Sequence, residues 1–377
     1  MKVHDVIVVG GGLAGLSAAW MLTALRSDFL LVAEELGGKI LESPRVMMYP
    51  FVLMSGREMV DWLLARVARD RVVRDRIVRA ELGRSIRVLY GESGREYRCR
   101  AVIFATGGVE RSVLKGVRLK SCPLCELPSL RGKEVLLIYD EPHFLSTARG
   151  LKGVARKVDV AWSGDVEAIA RRDGRYVVRV SGREREYDDV FYLAEPEPRV
   201  PIEGVPHIRP DYKLRIAPLV YVVGDAHPLK PLAIFAVASG IEAALEAVEE
   251  VDAYRALAHV FGAGEVAPTT SSLPEVRSEE ELRKAASGTS LLVWHSLYCG
   301  PCYVYEEVLK RAAKELGVPV YLVDAERVDP RPHGVKALPT TILYVGGRER
   351  WRREGVVPLA KLVEEVRRRT TTATTAA

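Results

Sequence analysis

Asp5-Val-Ile-Val-Val-Gly-Gly-Gly-Leu-Ala-Gly-Leu-Ser-Ala-Ala19 decides the fold. Val6 to Val9 is an uninterrupted apolar run, the pattern of a strand buried on both faces of a parallel sheet. Gly10, Gly12 and Gly15 follow in G-x-G-x-x-G spacing and open a helical run from Leu16 to Leu25, and Phe29-Leu-Leu-Val32 is a second buried strand. Strand, glycine turn, helix and strand form a βαβ unit, the context in which this spacing signals a dinucleotide site. Gly10 permits the tight turn, Gly12 lets backbone approach a pyrophosphate, and Gly15 lets helix and strand pack, with the helix N-terminus facing the phosphates. An acidic residue about 20 positions on binds a ribose hydroxyl. Ala33 falls at the aligned position, which makes Glu34 the candidate and Glu35 the alternative. Nicotinamide and flavin cofactors both fit such a turn. Ala105-Thr-Gly107, after the apolar strand Ala101 to Phe104, and Gly224-Asp225, after the strand beginning at Pro218, shift the choice to a flavin.

Comparing the chain with itself extends this reading. Ser85 to Gly107 reads as a hairpin around Gly91-Glu-Ser-Gly94 and a final strand. Glu134 to Ile138 then aligns with Asp5 to Val9, Leu145 to Ala148 with Leu16 to Ala19, Arg175 to Tyr187 with the hairpin, and Val190 to Leu193 with the final strand. The chain thus reads as two copies of one nucleotide-binding architecture. In the second copy Tyr139, Glu141 and Phe144 stand where Gly10, Gly12 and Gly15 stand in the first, and Asp140 replaces Gly11. Side chains there block a pyrophosphate, and the two acids repel it. Ala236 to Val248 has the texture of a helix, and Phe261 to Pro274 that of a linker. A separate βαβ pattern follows: helix 279–286, strand 291–294, Cys299-Gly-Pro-Cys302, helix 303–316, strands 318–323 and 341–345, and helix 358–369.

Composition narrows the function classes. The 377 residues are 48% hydrophobic and 28% charged, the profile of soluble globular domains. No apolar run reaches membrane-spanning length and the N-terminus has no signal-peptide pattern, so an intracellular, cytoplasmic protein without membrane association is expected. A net charge of +5, with Lys and Arg interleaved among Asp and Glu, makes no case for nucleic acid. The chain holds no Asn and no Gln, a depletion of thermolabile amides that fits a high-temperature protein. Four of its five cysteines form two C-x-x-C pairs, Cys122/Cys125 and Cys299/Cys302, and Cys99 stands alone on a strand as an expected core residue. The Cys122/Cys125 pair lacks a flanking pair of His or Cys ligands, and no metal site is expected.

Residues 1–253 resemble the thioredoxin-reductase-like flavoproteins. The resemblance rests on the glycine turn, Leu36-Gly-Gly-Lys39, Met54-Ser-Gly-Arg-Glu-Met59, Ala105-Thr-Gly107, Gly224-Asp225, and above all Lys120-Ser-Cys-Pro-Leu-Cys-Glu126 followed by Leu130-Arg-Gly-Lys-Glu-Val135. It implies FAD held by Gly10, Gly11, Gly12, Leu13, Ala14, Gly15, Glu34, Gly38, Ala105, Thr106, Gly107, Gly224 and Asp225. It also implies that Cys125 contacts the flavin, that Cys122 exchanges with the partner, and that Glu126 moves the proton in place of the family's Asp. The family's second glycine motif for NADPH is missing, Ser163-Gly-Asp165 stands where its 2′-phosphate arginines lie, and its Arg-Gln flavin contact is replaced around Lys230-Pro-Leu-Ala233.

Residues 275–369 resemble thioredoxin. Cys299-Gly-Pro-Cys302 lies at a strand-to-helix junction where the helix N-terminus favours the Cys299 thiolate, an effect for which thioredoxin is a standard example. Val335-Lys-Ala-Leu-Pro-Thr340 matches the loop whose cis-proline faces the dithiol, which makes Pro339 the candidate. Val293 replaces the buried acid and Tyr298 the usual Trp. His227 is expected to touch the flavin or cap a turn, His295 to be a partly exposed surface residue, and the Arg-rich runs 66–79 and 348–353 to be solvated faces.

The fold class expected is α/β: an FAD-binding Rossmann-like domain (1–114 and 200–253), an inserted degenerate nucleotide-binding domain (115–199), a linker (254–274), a thioredoxin fold (275–369) and a disordered tail (370–377). The function expected is a FAD-dependent disulfide oxidoreductase, a homodimer by resemblance, acting on a protein or small-molecule disulfide. The flavin would be fed by ferredoxin or another carrier, or reoxidised by oxygen in a dithiol oxidase. The remaining reading is a non-catalytic scaffold presenting a thioredoxin-like module.

Overall fold

The computed structural model describes residues 2–43, 46, 54–82, 86–108, 112–142, 145–194, 197–198, 200–228, 232–263 and 273–374, with backbone alone for Cys125, Ser146 and residues 372–374. The chain begins with β1 (Val3–Gly12), α1 (Leu13–Ala24), β2 (Phe29–Gly37), α2 (Gly56–Leu64), β3 (Val72–Arg74), β4 (Ile77–Glu81), β5 (Arg87–Gly91) and β6 (Glu96–Phe104). β1 lies between β2 and β6, parallel to both. Val6 and Val8 enter one core with Leu16 and Leu22, while Ile7 and Val9 enter a second with Leu89, Cys99 and Val102. Burial on both faces is why this strand shows no polar alternation.

The middle of the chain supplies β7 (Val113–Leu114), β8 (Val117–Arg118), β9 (Glu134–Tyr139), α3 (Leu145–Leu151), β10 (Lys157–Trp162), β11 (Val166–Arg172), β12 (Arg175–Val180), β13 (Arg183–Tyr187) and β14 (Asp189–Leu193). A parallel sheet β10-β9-β14 and an antiparallel sheet β11-β12-β13 form here. The strand-helix-strand unit and hairpin repeat what the first unit shows, and β11 is an addition that the self-comparison did not contain.

The chain then returns to the first sheet through β15 (Arg215–Ala217), β16 (Val220–Val222) and the 28-residue α4 (Ala233–Val260). Among the described residues eight strands share that sheet, in the order β15-β16-β6-β1-β2-β3 with the β4-β5 hairpin attached through β6. α4 lies along α1 at very short range: a Cβ on Gly240 would stand 2.1 Å from the Ala14 carbonyl oxygen. Farther along, Glu250 ties the helix to the sheet. Its carboxylate accepts from the Tyr221 hydroxyl at 2.5 Å, the Leu219 N–H at 3.2 Å, and Arg215 and the Tyr254 hydroxyl at 3.1 Å each.

The C-terminal unit comprises β17 (Glu275–Val276), α5 (Glu279–Ala286), β18 (Ser290–His295), α6 (Gly300–Leu316), β19 (Val320–Asp324), β20 (Thr340–Val345), β21 (Arg348–Glu354) and α7 (Leu359–Thr374), with sheet order β17-β19-β18-β20-β21. It docks on α4. Tyr303 of α6 stacks on Tyr254 at 5.9 Å and 16°, and the guanidinium of the fully buried Arg87 sits 4.7 Å from the Tyr303 ring centroid.

Two boundaries differ from the sequence reading. α4 runs through Val260 and takes the first seven residues of the expected 254–274 linker, because Ala253 to Ala258 offers no breaker before Gly262. α7 runs to Thr374, into the stretch expected to be disordered; the Thr370 and Thr371 hydroxyls donate back to the Val366 and Arg367 carbonyls. The 348–353 run is an edge strand, most of whose residues are exposed.

Gly240→Ala is expected to destabilise the chain by about 1–3 kcal/mol through overpacking, read as a fall of several degrees in Tm. Gly288→Ala, whose added Cβ meets nothing within 4 Å, serves as the control with an unchanged Tm. Equal Tm values for both variants would refute the α1–α4 contact.

Candidate functional site

The glycine turn divides its labour by geometry. Gly10 has φ +107°, and a Cβ there would lie 2.3 Å from the Ala105 carbonyl oxygen. A Cβ on Gly15 would lie 1.9 Å from the Gly10 carbonyl oxygen, and one on Gly11 2.3 Å from that of Glu35. At Gly12 a Cβ would meet nothing within 4 Å. Three of these glycines are therefore required by the protein's own packing, and the fourth borders open space at the start of α1, whose first turn (Leu13, Ala14) carries no acidic side chain. Gly38 approaches Gly12 from β2's end, where its added Cβ would be 3.4 Å from the Gly12 Cα.

The other strand ends converge on the same place. The Ala105 N–H donates to the Val9 carbonyl at 2.8 Å, carrying Thr106 and Gly107 beside the turn. Gly224, at φ +65°, donates its N–H to Ser239 Oγ at 3.1 Å, and Asp225 follows in the same short 3-10 turn. The carboxyl ends of β1, β6 and β16 thus gather the expected set, as in open α/β sheets that bind ligands there. Glu34 and Glu35 are both exposed on β2. His227 is 9% exposed, neither ring nitrogen has a hydrogen-bond partner among the described residues, and burial, with the Arg209 charge, holds its pKa below the usual histidine value. Its side chain therefore caps no turn, and an unpaired buried polar group costs about 1–3 kcal/mol.

Cys122 is disulfide-bonded, just ahead of the 3-10 helix Leu124–Leu130. The Cys125 side chain lies outside the described residues. Glu126 accepts from Lys120 Nζ at 2.5 Å, and Lys120 also reaches Asp189 of β14 at 3.4 Å. In the second nucleotide unit Asp140 lies where β9 ends. Its carboxylate accepts from the Ser163 hydroxyl and from the Tyr192 hydroxyl at 2.8 Å, so a tethered negative charge stands at the carboxyl end of that sheet. Phe144 lies outside the described residues.

Cys299 and Cys302 form a disulfide at the start of α6, with Cys299 at the N-cap. The Leu338–Pro339 peptide is cis. Val293 is buried opposite Thr341, and the Thr341 and Tyr305 hydroxyls lie 2.8 Å apart in the core below. His295, expected at the surface, is 2% exposed with Nε2 3.5 Å from Glu275; it closes β18, a strand covered on both faces. Cys99 is fully buried and burial pushes its thiol up to about 12, as befits a core residue.

The glycine turn and the Cys299/Cys302 pair are not brought together. Tyr303, next to Cys302, packs on Tyr254 and Arg87 near the amino end of β1, where Arg255 pairs with Asp5. The glycine turn is at the carboxyl end. From Gly240 to Tyr254 the rise along α4 is about 21 Å at 1.5 Å per residue. The long-range contacts that place the second dithiol were not legible, because Arg87, Tyr254 and Tyr303 carry no motif. The length of α4 was missed, although the unbroken run to Gly262 is a signal that could have shown it.

No protein-family model matches the chain. It is 26% identical over 148 residues to thioredoxin reductase of Listeria monocytogenes, covering 36% of this chain and 46% of the relative. It is 24% identical over 204 residues to a bifunctional thioredoxin reductase/thioredoxin of Mycobacterium leprae, covering 51% of this chain and 43% of that protein. The chain thus spans about half the length of these curated relatives. In solved structures, Lactococcus lactis thioredoxin reductase superposes with a TM-score of 0.54 at 19% identity over 66% of this chain and 99% of that one. The fold is a mixed α/β fold of the thioredoxin-reductase type.

With all disulfides reduced, Cys99 is expected to resist iodoacetamide at pH 8 in the folded chain and to react once the chain is denatured, followed by peptide mass spectrometry. Labelling of Cys99 in the native state would contradict its placement.

Proposed function

We propose that the chain is a FAD-dependent dithiol-disulfide oxidoreductase that links the Cys122/Cys125 and Cys299/Cys302 pairs. The observation that carries this reading is the glycine turn. Gly10, Gly11 and Gly15 are consumed by packing, while Gly12 leaves bare backbone at a helix N-terminus, the form of a pyrophosphate cradle. The buried ring of His227, without a hydrogen-bond partner among the described residues, lies close in sequence to Gly224 and Asp225 and adds a polar group suited to a bound ligand. Gly10 to Gly15, Gly38, Ala105 to Gly107, Gly224 and Asp225 would hold FAD, with Glu34 or Glu35 on the ribose. Bound there, FAD supplies two-electron exchange with a dithiol.

The chain's own residues supply the rest. Cys125 is the flavin-side sulfur, Cys122 the exchanging one, and Glu126 the proton carrier. Cys299, activated at the N-terminus of α6, receives or delivers the disulfide, with Pro339 lining its loop. The inserted unit does not suit NADPH. Its turn residues carry side chains, and Asp140, held by Ser163 and Tyr192, sets a negative charge where a phosphate would approach. Electrons therefore come from a carrier such as a ferredoxin, or leave to oxygen if the chain is a dithiol oxidase. The C-terminal unit is the thioredoxin-like module, and its dithiol exchanges with Cys122 of the same chain or of a second copy. A homodimer and a cytoplasmic site of action accord with this reading; among the described residues no helix is long and apolar enough to cross a membrane.

The purified chain is expected to be yellow. Under anaerobic conditions dithiothreitol should bleach it and NADPH should not, and the rate of colour return on admitting air separates an oxidase from a carrier-fed reductase. Gly12→Ala should fold with the same apo-protein Tm and purify colourless. A wild-type chain that takes up no FAD overturns the proposal; rapid bleaching by NADPH overturns the part assigned to Asp140.

A further inference from the structure

Lys120 opens the stretch that holds the first cysteine pair but had no role assigned to it, and it is fixed from four directions. Its carbonyl accepts from the Tyr192 N–H of β14 at 2.8 Å. Its ammonium donates to Glu126 at 2.5 Å, reaches Asp189 at 3.4 Å, and stands 5.8 Å from the Phe191 ring centroid. Asp189 is 6% exposed and is itself held by Lys133 at 2.7 Å, so the anchor is a fixed point of the sheet. These are the charged groups around the ammonium among the described residues: Glu126 on the 3-10 helix that follows Cys122, Asp189 on β14, and Lys133 just before β9.

We propose that Lys120 is a positioning residue for the Cys122 dithiol: it clamps the Glu126 carboxylate to the inserted sheet and sets a positive charge two residues from Cys122 that favours the thiolate. The inference rests on the dithiol chemistry proposed above and adds the group that tunes it. Left alone, a carboxylate next to the second cysteine disfavours a thiolate by like-charge repulsion, and a paired ammonium cancels that effect. Burial works against the charge on Lys120, but the hydrogen bond to Glu126 and the charge of Asp189 outweigh it and hold its pKa above the usual lysine value. The ammonium therefore persists across the whole range in which a thiol titrates. In the exchange step the Cys122 thiol releases its proton to Glu126 or to water, the thiolate attacks a disulfide sulfur, a mixed disulfide forms, and the departing sulfur leaves as a thiolate that is then protonated.

The test is the pH profile of iodoacetamide labelling of reduced Cys122 in the full chain, resolved by peptide mass spectrometry with Cys299 as internal reference. Lys120→Met should slow labelling of Cys122 at pH 7 by about three- to tenfold by moving the profile to higher pH. Lys120→Arg should restore it, and Glu126→Gln should speed it, while Cys299 stays unchanged in all three. An unmoved Cys122 profile in Lys120→Met overturns the proposal, as does a parallel change at Cys299, which would mean a general loss of structure. Because labelling needs no flavin, a shifted profile in a chain that fails to take up FAD would uphold Lys120 and reject the flavoenzyme reading.

Discussion

The approach of Gly240 to the Ala14 carbonyl sets the position of α4, and α4 sets the position of nearly everything else. With no side chain between them, the two helices lie close enough for α1 to close over the glycine turn and for Ser239 to receive the Gly224 N–H. Fourteen residues later the same helix presents Tyr254 to Tyr303 and Arg255 to Asp5. Glu250 lies between, collecting hydrogen bonds from β15, β16 and its own helix. A single helix therefore reaches both the glycine-turn end of the sheet and the platform on which the second dithiol rests.

The two strand-helix-strand units share a frame and differ in the turn that follows their first strand. In the first, three glycines pass under neighbouring carbonyls and the fourth leaves backbone bare. In the second, the strand order and the crossover helix persist, but Asp140 fills the corresponding turn and is held there by two hydroxyls. The carboxylate is built in and hydrogen-bonded, so the unit keeps its core while its turn carries an acid where the first unit has Gly11. What it offers instead is β14, which carries Asp189 and Phe191 to Lys120 and so supports the dithiol helix.

Local features of the sequence were legible. The apolar run before Gly10, the repeat of that run at Glu134 and the strand-to-helix placement of Cys299 each follow from a pattern within a few residues, and each is where the structure has it. The clusters made by residues far apart were not. Arg87, Tyr254 and Tyr303 meet through contacts that span the chain, and Lys120 reaches Glu126 across a turn with no helical period to announce it. His295 was misjudged for a related reason: a histidine at the end of a short strand looks solvated until β19 and β20 close around it. The helical ends at Val260 and Thr374 show the weight of continuation over composition, since nothing before Gly262 stops α4 and threonine hydroxyls satisfy the carbonyls of α7.

The central claim is that two dithiols held at different places in one chain belong to one path. Its most direct test is disulfide trapping in the double variant Cys125→Ser, Cys302→Ser, in which Cys122 and Cys299 each lose their partner. Mild oxidation of the full-length chain should yield a Cys122–Cys299 mixed disulfide, identified by mass spectrometry of the unreduced peptides, with its dependence on protein concentration separating release within one chain from exchange between copies. If both cysteines react readily with a small aromatic disulfide yet no such link forms at any concentration, the two centres do not communicate and the account is wrong.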